Sequence, residues 1–243
     1  MIRPDETDDP RRRLLIQALT AGLFAAALTG GGALAAEVSR GGSPKLPAGR
    51  SIYRMSGKVL VNENPATIDT RIAAGDTVET PKGGELVFVV GENAMVMRES
   101  SRLELQTEQV TSMLIKGFRM LTGGLLSVSR NRPMQVTTAT ATIGIRGTGF
   151  YLEADPQQTY FCTCYGVTDV EASDDKQSRD HVVSSHHDRA LYILAGAKPG
   201  QSIRPAPFIN HTDQELMLIE TLVGRTPPFV FPGNSYNAPR RGY

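Results

Sequence analysis

Turn signals interrupt the chain about every 8–12 residues from Ser56 to Val170, too often for long helices. Asn64-Pro65, Gly75-Asp76, Pro81-Lys82-Gly83-Gly84 and Gly91-Glu92-Asn93 each break an apolar run. The pieces between them read as short strands: residues 57–62, 77–80, 85–90, 94–98 and 101–105. Glu85-Leu86-Val87-Phe88-Val89-Val90 is nearly all β-former, which predicts a strand buried on both faces. Residues 107–120 are ambiguous, because Val110, Met113, Leu114 and Phe118 could line a helix face. Strand texture returns at 125–129, 134–141, 142–152 and 159–170. The expected fold is all-β, with a small C-terminal extension that carries one helix.

That extension spans 173–231. Residues 174–180 form a charged loop, 181–187 and 188–194 read as strands, and Lys198-Pro199-Gly200 is a turn. The helix is expected over 213–223. Thr212 caps it, Glu215 completes a capping box, and Asp213 lies where the helix dipole favours negative charge. Leu216, Ile219, Leu222 and Val223 make an apolar stripe, and Gly224 followed by Pro227-Pro228 ends it. Such a helix is suited to cover an edge or face of the β part. The tail, 232–243, reads as disordered.

The N-terminus sets the compartment. Arg11-Arg12-Arg13-Leu14-Leu15 precedes an Ala-, Leu- and Gly-rich run that ends Ala33-Leu34-Ala35-Ala36. Basic residues, a short apolar run and a small-x-small end make a secretory signal over 1–36, and the paired arginines resemble a twin-arginine signal. Gly30-Gly31-Gly32 dilutes the run, so no stable membrane span is expected after cleavage. The chain is therefore expected in the periplasm, with a Gly- and Pro-rich linker over 37–55. The leader holds as many basic as acidic residues, so the net charge of +1 survives its removal. Near-neutrality supplies no reason to expect nucleic acid as a partner.

Within 56–172 the order of motifs carries a resemblance. Gly75-Asp76-Thr77-Val78-Glu79-Thr80 comes first, then Gly83-Gly84 before the central strand. "LTGGLLSVS" and "TATIGIRGTGF" follow. This order resembles the FecR-like periplasmic domain. The resemblance implies stacked β-arches, solenoid-like or sandwiched, and a sensing or interaction module rather than an enzyme. Its expected partner is an envelope protein or polymer. In the regulators that name the family, a membrane helix and a cytoplasmic anti-sigma segment precede the domain. Only ten residues precede Arg11 here, so the expectation is the domain without that segment. Arg146, Gly147 and Thr148 are expected as a structural turn, Arg146 tying neighbouring carbonyls and Gly147 permitting the tight backbone.

The two cysteines, Cys162 and Cys164, stand one residue apart in "TYFCTCYG". On a strand they share a face, with Phe161, Thr163 and Tyr165 opposite. Their Cα atoms would be about 6.5–7 Å apart, at the outer limit for a relaxed disulfide. Three readings are open: a soft-metal clamp, a strained disulfide or redox pair, and two small packed residues. A metal needs more donors, and the chain has four histidines: His181, His186, His187 and His211. His186 and His187 point opposite ways on a strand and both reach one site only if the backbone bends. The donors proposed are Cys162, Cys164, His186, His187 and His211, for zinc or copper. Gly-x-Ser-x-Gly and His-Glu-x-x-His are both missing from the sequence, which leaves hydrolysis without a motif.

Overall fold

The computed structural model describes residues 45–107, 115–129, 132–226 and 228–229. The leader, the tail over 232–243 and the middle of the ambiguous stretch fall outside these residues. Fourteen strands share one hydrogen-bonded sheet. They are β1 (Ile52–Ser56), β2 (Leu60–Val61), β3 (Asn64–Pro65), β4 (Thr77–Thr80), β5 (Glu85–Val90), β6 (Asn93–Met97) and β7 (Ser101–Gln106), then β8 (Gly117–Val128), β9 (Met134–Thr137), β10 (Ala141–Ala154), β11 (Gln158–Ala172), β12 (Arg179–Ser184), β13 (Arg189–Leu194) and β14 (Ile203–Ala206). One helix, α1 (Asp213–Leu222), follows.

Three long strands decide the architecture. The first half of β8 pairs with β7, and its second half with β6. β10 pairs first with β9, then with the end of β8. β11 pairs with β13 near its start and β12 near its end. Each long strand therefore passes from one layer of the sheet into another, and the sheet folds over on itself as a two-layered sandwich. Between the layers lies a core in which Phe118, Phe150 and Phe161 stand in a row, with ring centroids 6.3 and 5.5 Å apart. Each such buried ring contributes roughly 1.5–3 kcal/mol of transfer free energy.

The layer that holds β5, β6 and the ends of β8 and β10 is apolar on both faces. Side chains alternate along a strand. Leu86, Phe88, Met95 and Met97 therefore enter the inner core, while Val87, Val89, Ala94 and Val96 face outward into a second one. This is the doubly buried strand the sequence predicts. Its outer face must be covered, and α1 covers it with Leu216, Ile219 and Leu222. The helix starts at its predicted capping box: Thr212 accepts from Glu215 N, and Glu215 reaches back to Thr212 N at 3.0 Å.

Several expectations need correction. The turn read at Asn64-Pro65 lies one step earlier, at Asn62 and Glu63, whose φ values of 50° and 68° make a two-residue hairpin linking β2 to β3. The linker ends before 55, because Ile52 is fully buried and β1 pairs with β5. The helix option over 107–120 fails at its described end, where Phe118 and Met120 alternate into the core on β8. The strand read over 181–187 stops at Ser184. Arg146, Gly147 and Thr148 do not form a turn. They form a bulge inside β10, where the register with β11 slips between Arg146 and Gly149. Thr148 is the structural residue there: it is buried, and its hydroxyl accepts from Arg146 N and donates to Val167 O. Arg146 is exposed, and its guanidinium ties no carbonyl among the described residues. No helix among those residues is long and apolar enough to cross a membrane.

A buried ion network pins α1 to the sheet. Arg98, at the end of β6, donates to Glu85 at 2.9 Å, to Glu215 at 2.7 Å and to the Asn210 carbonyl at 3.2 Å. Burial alone would lower the Arg98 pKa, but Glu215, Tyr151 and Glu85 together outweigh it and raise the value. Arg98→Met should strand Glu215 without its counter-ion and lower unfolding free energy by about 3–5 kcal/mol, measured by chemical denaturation.

Candidate metal centre

Between the outer sheet face and α1, four donors converge. Cys162 and Cys164 lie on β11, His187 in the loop from β12 to β13, and His211 just before the helix cap. Their ligand atoms all lie within 4.8 Å of one another, and none of the four residues exceeds 5% exposure. Cys162 Sγ is 3.6 Å from His187 Nδ1, and His187 Nδ1 is 3.2 Å from His211 Nε2. A tetrahedral zinc with ordinary bond lengths has edges of about 3.6 Å between sulfur and nitrogen and about 3.3 Å between nitrogens. The spacings fit.

Local backbone features put the donors there. The predicted shared face of the cysteines holds, but Tyr165 joins them instead of lying opposite. Phe150 pairs with Thr163 and Gly149 with Tyr165, so Cys164 is the extra residue of a bulge and the alternation resets. Gly149 makes room for this, since a Cβ there would sit 2.3 Å from the Tyr165 ring. The bend that two adjacent histidines require is also present. His187 adopts φ 53°, and its N–H bonds to the Cys164 carbonyl at 2.8 Å. Asp188 secures that loop by accepting from Ser185 N and Ser185 Oγ at 2.7 and 2.8 Å.

The surrounding hydrogen bonds set the imidazole tautomers. His211 Nδ1 lies 2.6 Å from the Ile209 carbonyl, which can only accept, so Nδ1 carries the proton and Nε2 presents a lone pair. His187 Nε2 lies 2.9 Å from Asp213 Oδ1, leaving Nδ1 to face the cluster. With both rings neutral, two lone pairs would meet across 3.2 Å. That contact is repulsive unless a proton or a metal ion lies between them. Carboxylate or carbonyl support behind each ligating histidine is the usual outer shell of a metal site.

Without metal, protons take up the strain. Cys162 is held well below the ordinary thiol range by a hydrogen bond from Cys164 and, against its burial, by His187 and His211. Burial and the Cys162 charge push Cys164 well above it. Burial opposes the charge on His187, but its bonds to Asp213 and Cys162 outweigh this and raise its pKa. Burial likewise opposes Asp213, whose bonds to His187 and His186 lower its pKa. In the metal-free protein this pair favours folding above the usual Asp pKa and below the usual His pKa. The gain is lost as pH falls through the lowered Asp213 value or rises through the raised His187 value.

Of the proposed donors, the structure brings Cys162, Cys164, His187 and His211 together. His186 stands outside: its Nε2 meets Asp213 at 2.9 Å, and its ring stacks on Phe229 with centroids 4.6 Å apart. His181 is exposed on β12 and pairs with Asp169. Cys162 and Cys164 are free thiols, not a disulfide. Sequence reasoning missed Asp213 as a partner of histidine, having read it only through the helix dipole. It also missed the walls, where Tyr151 stacks on His211 at 4.6 Å and Phe208 packs on both ligating rings at 4.5 and 4.4 Å. The short spacing from His211 to Asp213 was the available signal.

Comparison with known proteins adds a family for part of the chain. The FecR protein family profile matches residues 76–167, which include both cysteines and neither His187 nor His211. No curated protein matches the chain. Two crystal structures of a protein assigned as an anti-sigma factor from Parabacteroides distasonis are similar at 13% identity and a TM-score of 0.42, a likeness too loose to bear on function. The alignment spans 54% of this chain and 58% of that one.

Two substitutions test the site's supports. Gly149→Ala should force Tyr165 off its seat and destabilise the fold by about 1–3 kcal/mol in chemical denaturation. Asp213→Asn should weaken zinc binding about 10–100-fold with unchanged stoichiometry, read by competition with a chromophoric chelator.

Proposed function

We propose that this chain is an exported, non-enzymatic FecR-type sensing or interaction module that carries one soft metal ion at Cys162, Cys164, His187 and His211. The observation that carries the metal is the convergence of two thiols and two imidazoles whose ligand atoms lie within 4.8 Å of one another, with Cys162 Sγ at tetrahedral distance from His187 Nδ1. Two thiolates and two neutral imidazoles balance a divalent ion, which favours zinc over copper(I) in a buried site. All four positions are filled by protein donors, so no open coordination position remains for a substrate. A closed set of this kind supports a structural or sensing role over a catalytic one.

The leader pattern over 1–36 supports export, and the match over 76–167 supports the module reading. The partner is an envelope protein or polymer. A twin-arginine route would allow the metal to be loaded before export.

Elemental analysis of the protein purified from its native compartment should find about one equivalent of zinc. Cys162→Ser/Cys164→Ser should lose the metal and stability together. A metal content below about a tenth of an equivalent, with stability unchanged in the double variant, would overturn the metal reading.

A further inference from the structure

The four donors belong to two bodies. Cys162, Cys164 and His187 are fixed to the sheet, whereas His211 sits on the approach to α1. The outer support comes from the helix side alone: the Ile209 carbonyl orients His211, and Asp213 orients His187 across the joint. An ion here is therefore a bond between the sheet and the C-terminal segment. We propose that the metal is the clasp holding residues 207–222 on the sheet, and that a peroxide unfastens it by oxidising Cys162 and Cys164 together. This rests on the metal-binding reading above.

The chemistry balances without another partner. The two thiolates lose one electron pair to hydrogen peroxide, one S–S bond forms, the O–O bond breaks, and two hydroxides leave. Zinc stays divalent throughout. Adjacency makes the event all-or-none, because one disulfide removes both sulfur donors at once. Two imidazoles remain, too few for a structural zinc site. Once the ion leaves, His187 Nδ1 and His211 Nε2, 3.2 Å apart, are no longer joined by a coordination bond on each side.

The consequence is confined by the architecture. α1 touches only the outer core, and the inner core closes without any residue of the helix. Opening the clasp exposes Leu216, Ile219 and Leu222 together with the sheet positions they cover, Val87, Val96 and Leu126 among them. Opening also parts Arg98 from Glu215 and Tyr165 from Glu220, and these pairs re-form as the helix returns when the thiols are reduced and metal is restored.

Hydrogen exchange on the full-length protein, read by mass spectrometry with zinc, with chelator and with peroxide, tests this. Metal that binds only the docked form suppresses opening by the factor 1 + [M]/Kd, about 100-fold when free zinc is 100 times Kd. Amides of 213–222 should thus lose about 100-fold protection on chelation or on oxidation, with zinc released in step, while β5, β6 and β8 keep theirs. Thiol reductant plus zinc should restore protection. Zinc release with 213–222 still protected would overturn the clasp and leave metal binding intact, as would a loss shared equally by every strand. Protection that ignores added zinc in a protein that binds none would remove the metal reading itself.

Discussion

A sheet layer apolar on both faces has to be covered twice, and the rest of this fold is organised around that requirement. β5 and β6 have almost no polar side, so the chain turns one face toward the second layer and leaves the other to its C-terminal part. The second cover is built late in the sequence, from α1 and the residues that lead into it. Among the described residues, thiols, imidazoles and carboxylates collect out of water at the cover's joint with the sheet.

Burying so many ionisable groups is costly unless each finds a partner, and the partners come from across the joint. Arg98 of the sheet reaches Glu215 of the helix. Tyr165 of the sheet bonds Glu220, which also holds Arg225 at 2.7 Å. His187 bonds Asp213. The Arg98, Tyr165 and His187 links join the β part to the helix, so polar pairing fixes where α1 sits while Leu216, Ile219 and Leu222 provide the apolar contact. His187 and His211 also meet at this joint, Nδ1 to Nε2 at 3.2 Å, beside the two thiols.

Much of this was legible in the residues. Alternation and turn chemistry give the β class, the two-sided strand at Glu85–Val90 and the common face of Cys162 and Cys164, because these depend on local period alone. The capping box at Thr212 and Glu215 is equally local. What escaped depends on register and on rare backbone states. Nothing in "TYFCTCYG" says that Cys164 will be the surplus residue of a bulge, since that is set by pairing with Gly149 a strand away. Nothing in "SSHHD" announces that His187 will take a left-handed φ, so the choice between His186 and His187 stayed open. Arg146-Gly147-Thr148 looked like a turn because glycine marks a positive φ, and a bulge needs the same conformation.

The spread of the donors along the chain fixes the order of assembly. His187 lies 25 residues beyond Cys162, and His211 another 24 beyond His187. Contacts over such separations close slowly, after the local hairpins that frame them. The cluster therefore completes only once β11 has its partners and the approach to α1 has arrived, so its four side chains meet late and only in a finished fold.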